Sequence, residues 1–224
     1  MATIVVMFKR IALLLTLALA TPLVAIGPTS AHAATSNDDF IITRVHTTKP
    51  LVFITIENGD EVTSAAASML YGLPHTNFVT GLMINRHRRF FHTDWARGAT
   101  FGNHARSHVD FSKLSYLNQR REICSGRNIV SNFSGSQPIL LRLPFWRYNS
   151  NTIKAAKACN VSHIVFWNTW VDSTGIHRYS TGSIQRGDII RLHYTSNLAS
   201  ELKTLLAELD KLGLHTGYLE DHLR

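Results

Sequence analysis

Cysteine, proline and acidic residues are scarce in this sequence, and long apolar runs are nearly absent. Its 224 residues include two cysteines and six prolines, with 15 acidic against 23 basic side chains. Neither Cys124 nor Cys159 stands in a recognisable nucleophile setting, which argues against a cysteine-based catalyst. Beyond the N-terminus no stretch is long and apolar enough to make a transmembrane helix. Internal repeats and low-complexity linkers are missing too. An apolar share of 45% supplies a full core, and the length suits one domain or a small two-domain protein. The formal charge of +8 favours anionic surroundings, such as acidic polysaccharide, cell-wall polymer or nucleic acid, without choosing among them.

What is present starts with a targeting pattern. Lys9 and Arg10 precede the apolar run Ile11 to Ala20, Pro22, Gly27 and Pro28 break it, and Ala31-His32-Ala33 closes it. That order predicts a secretory signal peptide over residues 1–33; the run is too short for comfort as an uncleaved membrane anchor. The expected product is a soluble protein, secreted or cell-wall associated, with no stable membrane insertion. Without Lys9 and Arg10 it keeps 21 basic against 15 acidic residues. In an exported chain, Cys124 and Cys159 are expected to pair, a bridge that would stabilise by roughly 3–4 kcal/mol through loop closure. Residues 34–48 read as a polar leader and 49–224 as the folded domain. The cluster Arg86-His87-Arg88-Arg89 reads first as a solvated loop and second as a polyanion contact.

From Lys49 the pattern is one of strands alternating with helices. Leu51 to Ile56 is an apolar run without alternation, as in a strand buried on both faces. Val62 to Tyr71 is helical, stopped by Gly72 and Pro74. Strands are expected at Asn77 to Gly81, Ile139 to Pro144, His163 to Trp167 and Asp188 to His193. Further helices are expected at Thr93 to Arg97, Tyr116 to Ile123 and Thr152 to Cys159. Leu198, Leu202, Leu205, Leu206, Leu209 and Leu212 mark the clearest amphipathic helix, with Gly213 as its C-cap. Such alternation predicts parallel β/α construction, and six or seven units suit a barrel.

The stretch Gly102-Asn103-His104-Ala105-Arg106-Ser107-His108 places two imidazoles four residues apart behind a glycine. Such a pair can point both rings one way across a helical turn, or across a strand end and the turn after it. Neutral imidazole is a common zinc ligand. With 12 histidines in the chain, the spacing also arises by chance. Other expected strand ends carry Glu57 and Asn58, Arg142, Trp167 and His193. In a β/α barrel these ends share one rim. Together they compose a metal-assisted hydrolase, in which the metal polarises a carbonyl, a carboxylate takes a proton from water and a histidine protonates the leaving group. Trp146 and Trp167 suit sugar stacking and core packing equally, whereas Trp95 and Trp170 suit the core.

In order along the chain, these segments resemble the NodB-type polysaccharide deacetylases, carbohydrate esterase family 4. Thr55-Ile56-Glu57-Asn58-Gly59 is similar to the family's Thr-Phe-Asp-Asp-Gly motif, and Gly102 to His108 with Leu114 to its Gly-Asn-His-Thr-x-x-His-Pro motif. Arg142-Leu143-Pro144-Phe145 is similar to Arg-Pro-Pro-Tyr, Trp167 to Asp172 to the Trp-rich fourth motif, and Ile189 to Tyr194 to the strand closing on Leu-His-Asp. The resemblance implies a distorted (β/α) barrel of the polysaccharide deacetylase type in a single domain. It implies removal of N-acetyl groups from a peptidoglycan- or chitin-like polysaccharide by a monomer, with no nucleic acid involved. By position, His104, His108 and Asn58 would hold a divalent metal, zinc first, with cobalt or another transition metal as alternatives. Glu57 would be the base, Arg142 its partner and His193 the acid, with Phe145, Trp146 and Trp167 contacting substrate.

The departures fall on the chemistry. Asn58 is neutral where the family has an anionic ligand, so weaker metal binding is expected. Glu57 is one methylene longer than Asp, Arg191 replaces an apolar residue, and Tyr194 replaces an Asp. Asp60 could restore a carboxylate only through a rearranged loop, and Asp172 aligns one residue out of register as a partner for His193. Two functions follow: a metal-dependent deacetylase with an altered metal site, or a deacetylase-fold protein that binds glycan without turnover.

Overall fold

A computed structural model describes residues 40–223. The expected signal peptide, and the leader up to residue 39, lie outside the described residues. Strands β1 (Ile41–Ile42) and β2 (Leu51–Asn58) are followed by α1 (Ser64–Met69), β3 (Thr76–Val79), α2 (Gly81–Arg86), α3 (Arg88–Ala96) and β4 (Thr100–Asn103). Then come α4 (Tyr116–Ser134), β5 (Leu140–Leu141), α5 (Ser150–Ala158), β6 (His163–Val165), β7 (Thr169–Asp172), β8 (Gly175–Arg178), β9 (Ile189–His193), α6 (Leu198–Lys211) and β10 (His215–Thr216).

The strands form one curled sheet in the order β1-β6-β5-β4-β3-β2-β9-β7-β8, with β10 alongside the start of β2. Every pairing on this path is parallel except β7 with β8. β2 lies inside the sheet, and its residues Val52 to Glu57 are all buried, as an unalternating apolar run requires when both faces are covered. Leu198, Leu202, Leu205 and Leu209 of α6 are buried as the periodicity predicts. Among the described residues no helix is long and apolar enough to cross a membrane.

Register places the chemistry. Glu57 on β2 is the direct partner of His193 on β9, and Asn58 aligns with Val79 on β3, which aligns with Asn103 on β4. These strands end on one rim, so residues far apart in sequence meet there.

Several elements differ from the sequence reading. Residues 40–48, read as leader, join the fold: β1 pairs with β6, and Phe40 and Val45 are buried. The basic cluster is not a loop: Arg86 ends α2, His87 is a kink, and Arg88 and Arg89 start α3. The helix expected to end at Ile123 runs on to Ser134, with Ser115 as its N-cap and Gly135 in the left-handed region as its C-cap. It passes through Gly126, where a Cβ would sit 2.4 Å from the Ala105 carbonyl carbon. Only glycine lets α4 approach that backbone so closely. A further difference is the hairpin β7–β8, which the sequence reading did not expect although Asp172-Ser173-Thr174-Gly175 is a cluster of turn residues. A disulfide joins Cys124 in α4 to Cys159 at the end of α5, with Cα atoms 5.2 Å apart.

Candidate active site

The end of β2 turns sharply. Asn58 has φ of 75°, and Gly59 has φ of 92° with space for a Cβ only 2.7 Å from Val79 Cγ1. Asparagine tolerates the left-handed region better than most residues, and glycine is required at the next position. Glu57 stays inside the sheet, 3% exposed. His193 Nε2 donates to its Oε1 at 2.7 Å, while Arg142 Nη1 stands 3.6 Å from Oε2 and Arg191 Nη1 stands 3.7 Å from Oε1. Burial opposes ionisation of Glu57, but the His193 hydrogen bond and the positive charge of Arg142 outweigh it and bring the pKa to about 2.

Arg142 is fully buried. It donates to Thr55 Oγ1 at 2.8 Å, to the Val165 carbonyl at 3.1 Å and to the Phe166 carbonyl at 3.3 Å. Its guanidinium also lies over the Phe78 ring, 4.4 Å from the centroid. Burial lowers its pKa to about 10 against the pull of Glu57, so it remains a cation at neutral pH.

The histidine pair takes the strand-end alternative, not the helical one. His104 follows β4 directly, and its loop is tied to α4. Asn103 Nδ2 donates to the Ile123 carbonyl at 2.9 Å, Arg106 N to the Glu122 carbonyl at 3.0 Å, and Ser107 N to Glu122 Oε2 at 2.8 Å. The two imidazole centroids lie 5.3 Å apart. His104 is 1% exposed, whereas His108 is exposed and meets the Phe145 ring edge-on at 4.4 Å. Burial pushes the pKa of His104 down to about 4, with Glu57 pulling the other way; burial lowers His108 as well.

Glu57, Asn58, His104, His108 and His193 line one cleft of about 400 Å³, with Phe145 and Trp146 at its lip. Both aromatics sit at positive φ, 57° and 59°, which lifts them outward to 52% and 43% exposure. Trp167 belongs to the interior instead, packed edge-on against Trp146 at 4.2 Å and flanked by the guanidinium groups of Arg142 and Arg191. Trp95 is exposed and not a core residue as expected, whereas half-buried Trp170 packs against the core and stacks on His177. Asp172 bonds to Thr174 and His177 in the hairpin, not to His193. Tyr194 leaves the cleft; its hydroxyl donates to Asn77 Oδ1 at 2.7 Å in a buried network with Asp94. The positioning of His104 and Arg142 by Glu122, Gly126 and Thr55 escaped the sequence reading, although Thr55 stands in its first motif.

The donors decide whether a divalent ion fits. His104 Nδ1–H donates to the Arg142 carbonyl at 2.9 Å, which leaves Nε2 with a lone pair facing Asn58 Oδ1 at 3.2 Å. That tautomer suits a metal ligand. Two acceptors cannot bond, so the Asn58 amide must turn its N–H towards the ring. The amide then satisfies the lone pair that an ion would take. Among the described residues no three His, Cys, Asp or Glu side chains gather as a metal site, and exposed Asp60 does not supply the missing carboxylate. Two imidazoles and a neutral amide do not fit a tightly held divalent ion.

A curled, mostly parallel sheet thus carries a buried carboxylate, its arginine and an in-register histidine at one rim. Residues 44–164 match the polysaccharide deacetylase family, and the chain belongs to it as a NodB-type member. An uncharacterized protein of Streptomyces coelicolor is 30% identical over 239 positions, covering 95% of this chain and 94% of its own. A peptidoglycan N-acetylglucosamine deacetylase superposes with a TM-score of 0.72 at 20% identity, over 82% of this chain and 92% of that one. A family 4 pseudoenzyme from Bacillus anthracis superposes at 0.66 with 17% identity, over 84% and 70% of the two chains; a mutant of it with restored activity is also similar, at 0.68.

Proposed function

We propose that this protein works outside the cell and binds an N-acetylated polysaccharide, of the peptidoglycan or chitin kind, in the Glu57–His193 cleft. Its deacetylase chemistry is held far below that of a metal-loaded site. The contact between Asn58 and His104 carries this reading, because a neutral amide fills the place where a ligand carboxylate and its ion would stand. Glu57 points the same way: a general base works best with a pKa near the operating pH, and this one lies at about 2. The exposed faces of Phe145 and Trp146 offer flat apolar platforms for sugar rings.

A second reading, slow hydrolysis with a loosely held zinc or cobalt ion, draws on the Glu57, Arg142 and His193 set, which is assembled with Glu57 bonded directly to the acid. The test is Asn58→Asp. Wild-type protein should purify without stoichiometric zinc, bind N-acetylated chitohexaose or peptidoglycan fragments by calorimetry, and release little acetate. Asn58→Asp should bind zinc at least 10–100-fold more tightly, the effect that even outer-sphere partners of a metal exert, and gain acetate release with it. A wild-type chain that carries one zinc and hydrolyses as fast as Asn58→Asp would refute the proposal.

A further inference from the structure

A second concavity, of about 630 Å³, is bounded by α1 and by the α2–α3 junction. Arg86, Arg88, Arg89 and Arg97 stand in its wall, and all four are exposed. Among the described residues none of them has a carboxylate partner; the arginine ion pairs use Arg44, Arg142, Arg147, Arg178 and Arg191 instead. Asp94 is the one carboxylate lining the cavity, and it is turned inward. Its Oδ2 accepts from Asn77 Nδ2 at 2.7 Å and is bonded to His75 at 3.0 Å.

Two of the cations are held in place. The Arg88 guanidinium lies 5.7 Å from the Phe133 ring centroid, and that of Arg97 lies 4.9 Å from the Tyr71 centroid. His87, at the kink between the helices, buries an Nε2 that has no hydrogen-bond partner. Such an orphan is unfavourable unless something meets it. A solvated basic face needs neither a concavity nor a buried unpartnered nitrogen.

We propose that this cavity is a binding site, separate from the Glu57–His193 cleft, for a phosphate-bearing polymer. A lone carboxylate would engage a single guanidinium fork. Four forks and an imidazole, gathered within residues 86–97, match successive phosphate groups along one strand. The site would anchor the protein to an anionic polymer while the cleft meets neutral sugar.

The test is binding of inorganic polyphosphate by the full protein across a salt series. Removing two phosphate contacts with the exposed pair Arg86→Ala and Arg89→Ala should flatten the slope of log affinity against log salt by roughly 1.4, at about 0.7 per contact. Arg120→Ala with Arg121→Ala removes the same charge from exposed positions on α4 and should leave the slope unchanged. Chitohexaose binding should not respond to either pair. Three outcomes would overturn the proposal: no polyphosphate binding, equal effects of the two arginine pairs, or polygalacturonate binding as tightly as polyphosphate at matched charge.

Discussion

Acid should destabilise this protein in two separable stages, and the first reports on His104. Its ring is 1% exposed, and burial takes its pKa from 6.5 to about 4. As pH falls below 6.5 the unfolded chain takes up a proton that the folded chain refuses, so stability is lost between pH 6.5 and 4. At pH 5 this loss amounts to about 2 kcal/mol, and it reaches about 3 kcal/mol once both states are protonated. Glu57 adds little at pH 5 and enters only at the lower end of that window. Its pKa falls from 4.5 to about 2 in the folded state, so its contribution is full above pH 4.5 and is lost only as pH drops from 4.5 towards 2. Burial of His108 acts in the same direction as that of His104. Urea unfolding at pH 7.5 and pH 5.0, with a chelator present, should therefore show a drop that shrinks by about 2 kcal/mol in His104→Gln. Equal drops in the two proteins would mean that His104 is not held neutral, and the argument that its lone pair faces Asn58 would fall with it.

Two further outcomes are expected. Cys124→Ser with Cys159→Ser opens a bridge of sequence separation 35 and should cost about 4 kcal/mol of unfolding free energy, measured by denaturant titration; an effect below ~1 kcal/mol would contradict the loop-closure argument. Gly126→Ala places a Cβ 2.4 Å from the Ala105 carbonyl carbon and 2.5 Å from Asn103 Oδ1, so α4 must shift. About 1–3 kcal/mol of stability and part of the glycan affinity should go together, since the same backbone carries His104; a variant as stable as wild type would show that this approach is not tight.

The sequence announced β2 and α6 because each is governed by one strong local signal: an unbroken apolar run, and leucines on one helical face. It misjudged Arg86 to Arg89, because like charges in a row argue for solvent but say nothing against a helix that keeps them outward. It stopped α4 early, at Ile123, and had no sign that Gly126 beyond it is there for what lies across from it. Residue order brought His104, His108, Glu57, Asn58, Arg142 and His193 together on paper through their motifs. What it could not contain is register. That Glu57 lies beside His193, that Asp172 faces its own hairpin, and that Arg191 sits between Trp146 and Trp167 all depend on strand alignment, which is a tertiary quantity.

The bridge between Cys124 and Cys159 has a consequence beyond stability. The covalent ring it closes contains Arg142, Phe145 and Trp146, so the cleft's buried cation and both exposed aromatics belong to one tethered segment. Oxidation of a single pair of thiols thus fixes the lip of the cleft and the clamp on Glu57 together. On the export proposed above, the grip on a glycan would be completed by the environment in which the glycan is found.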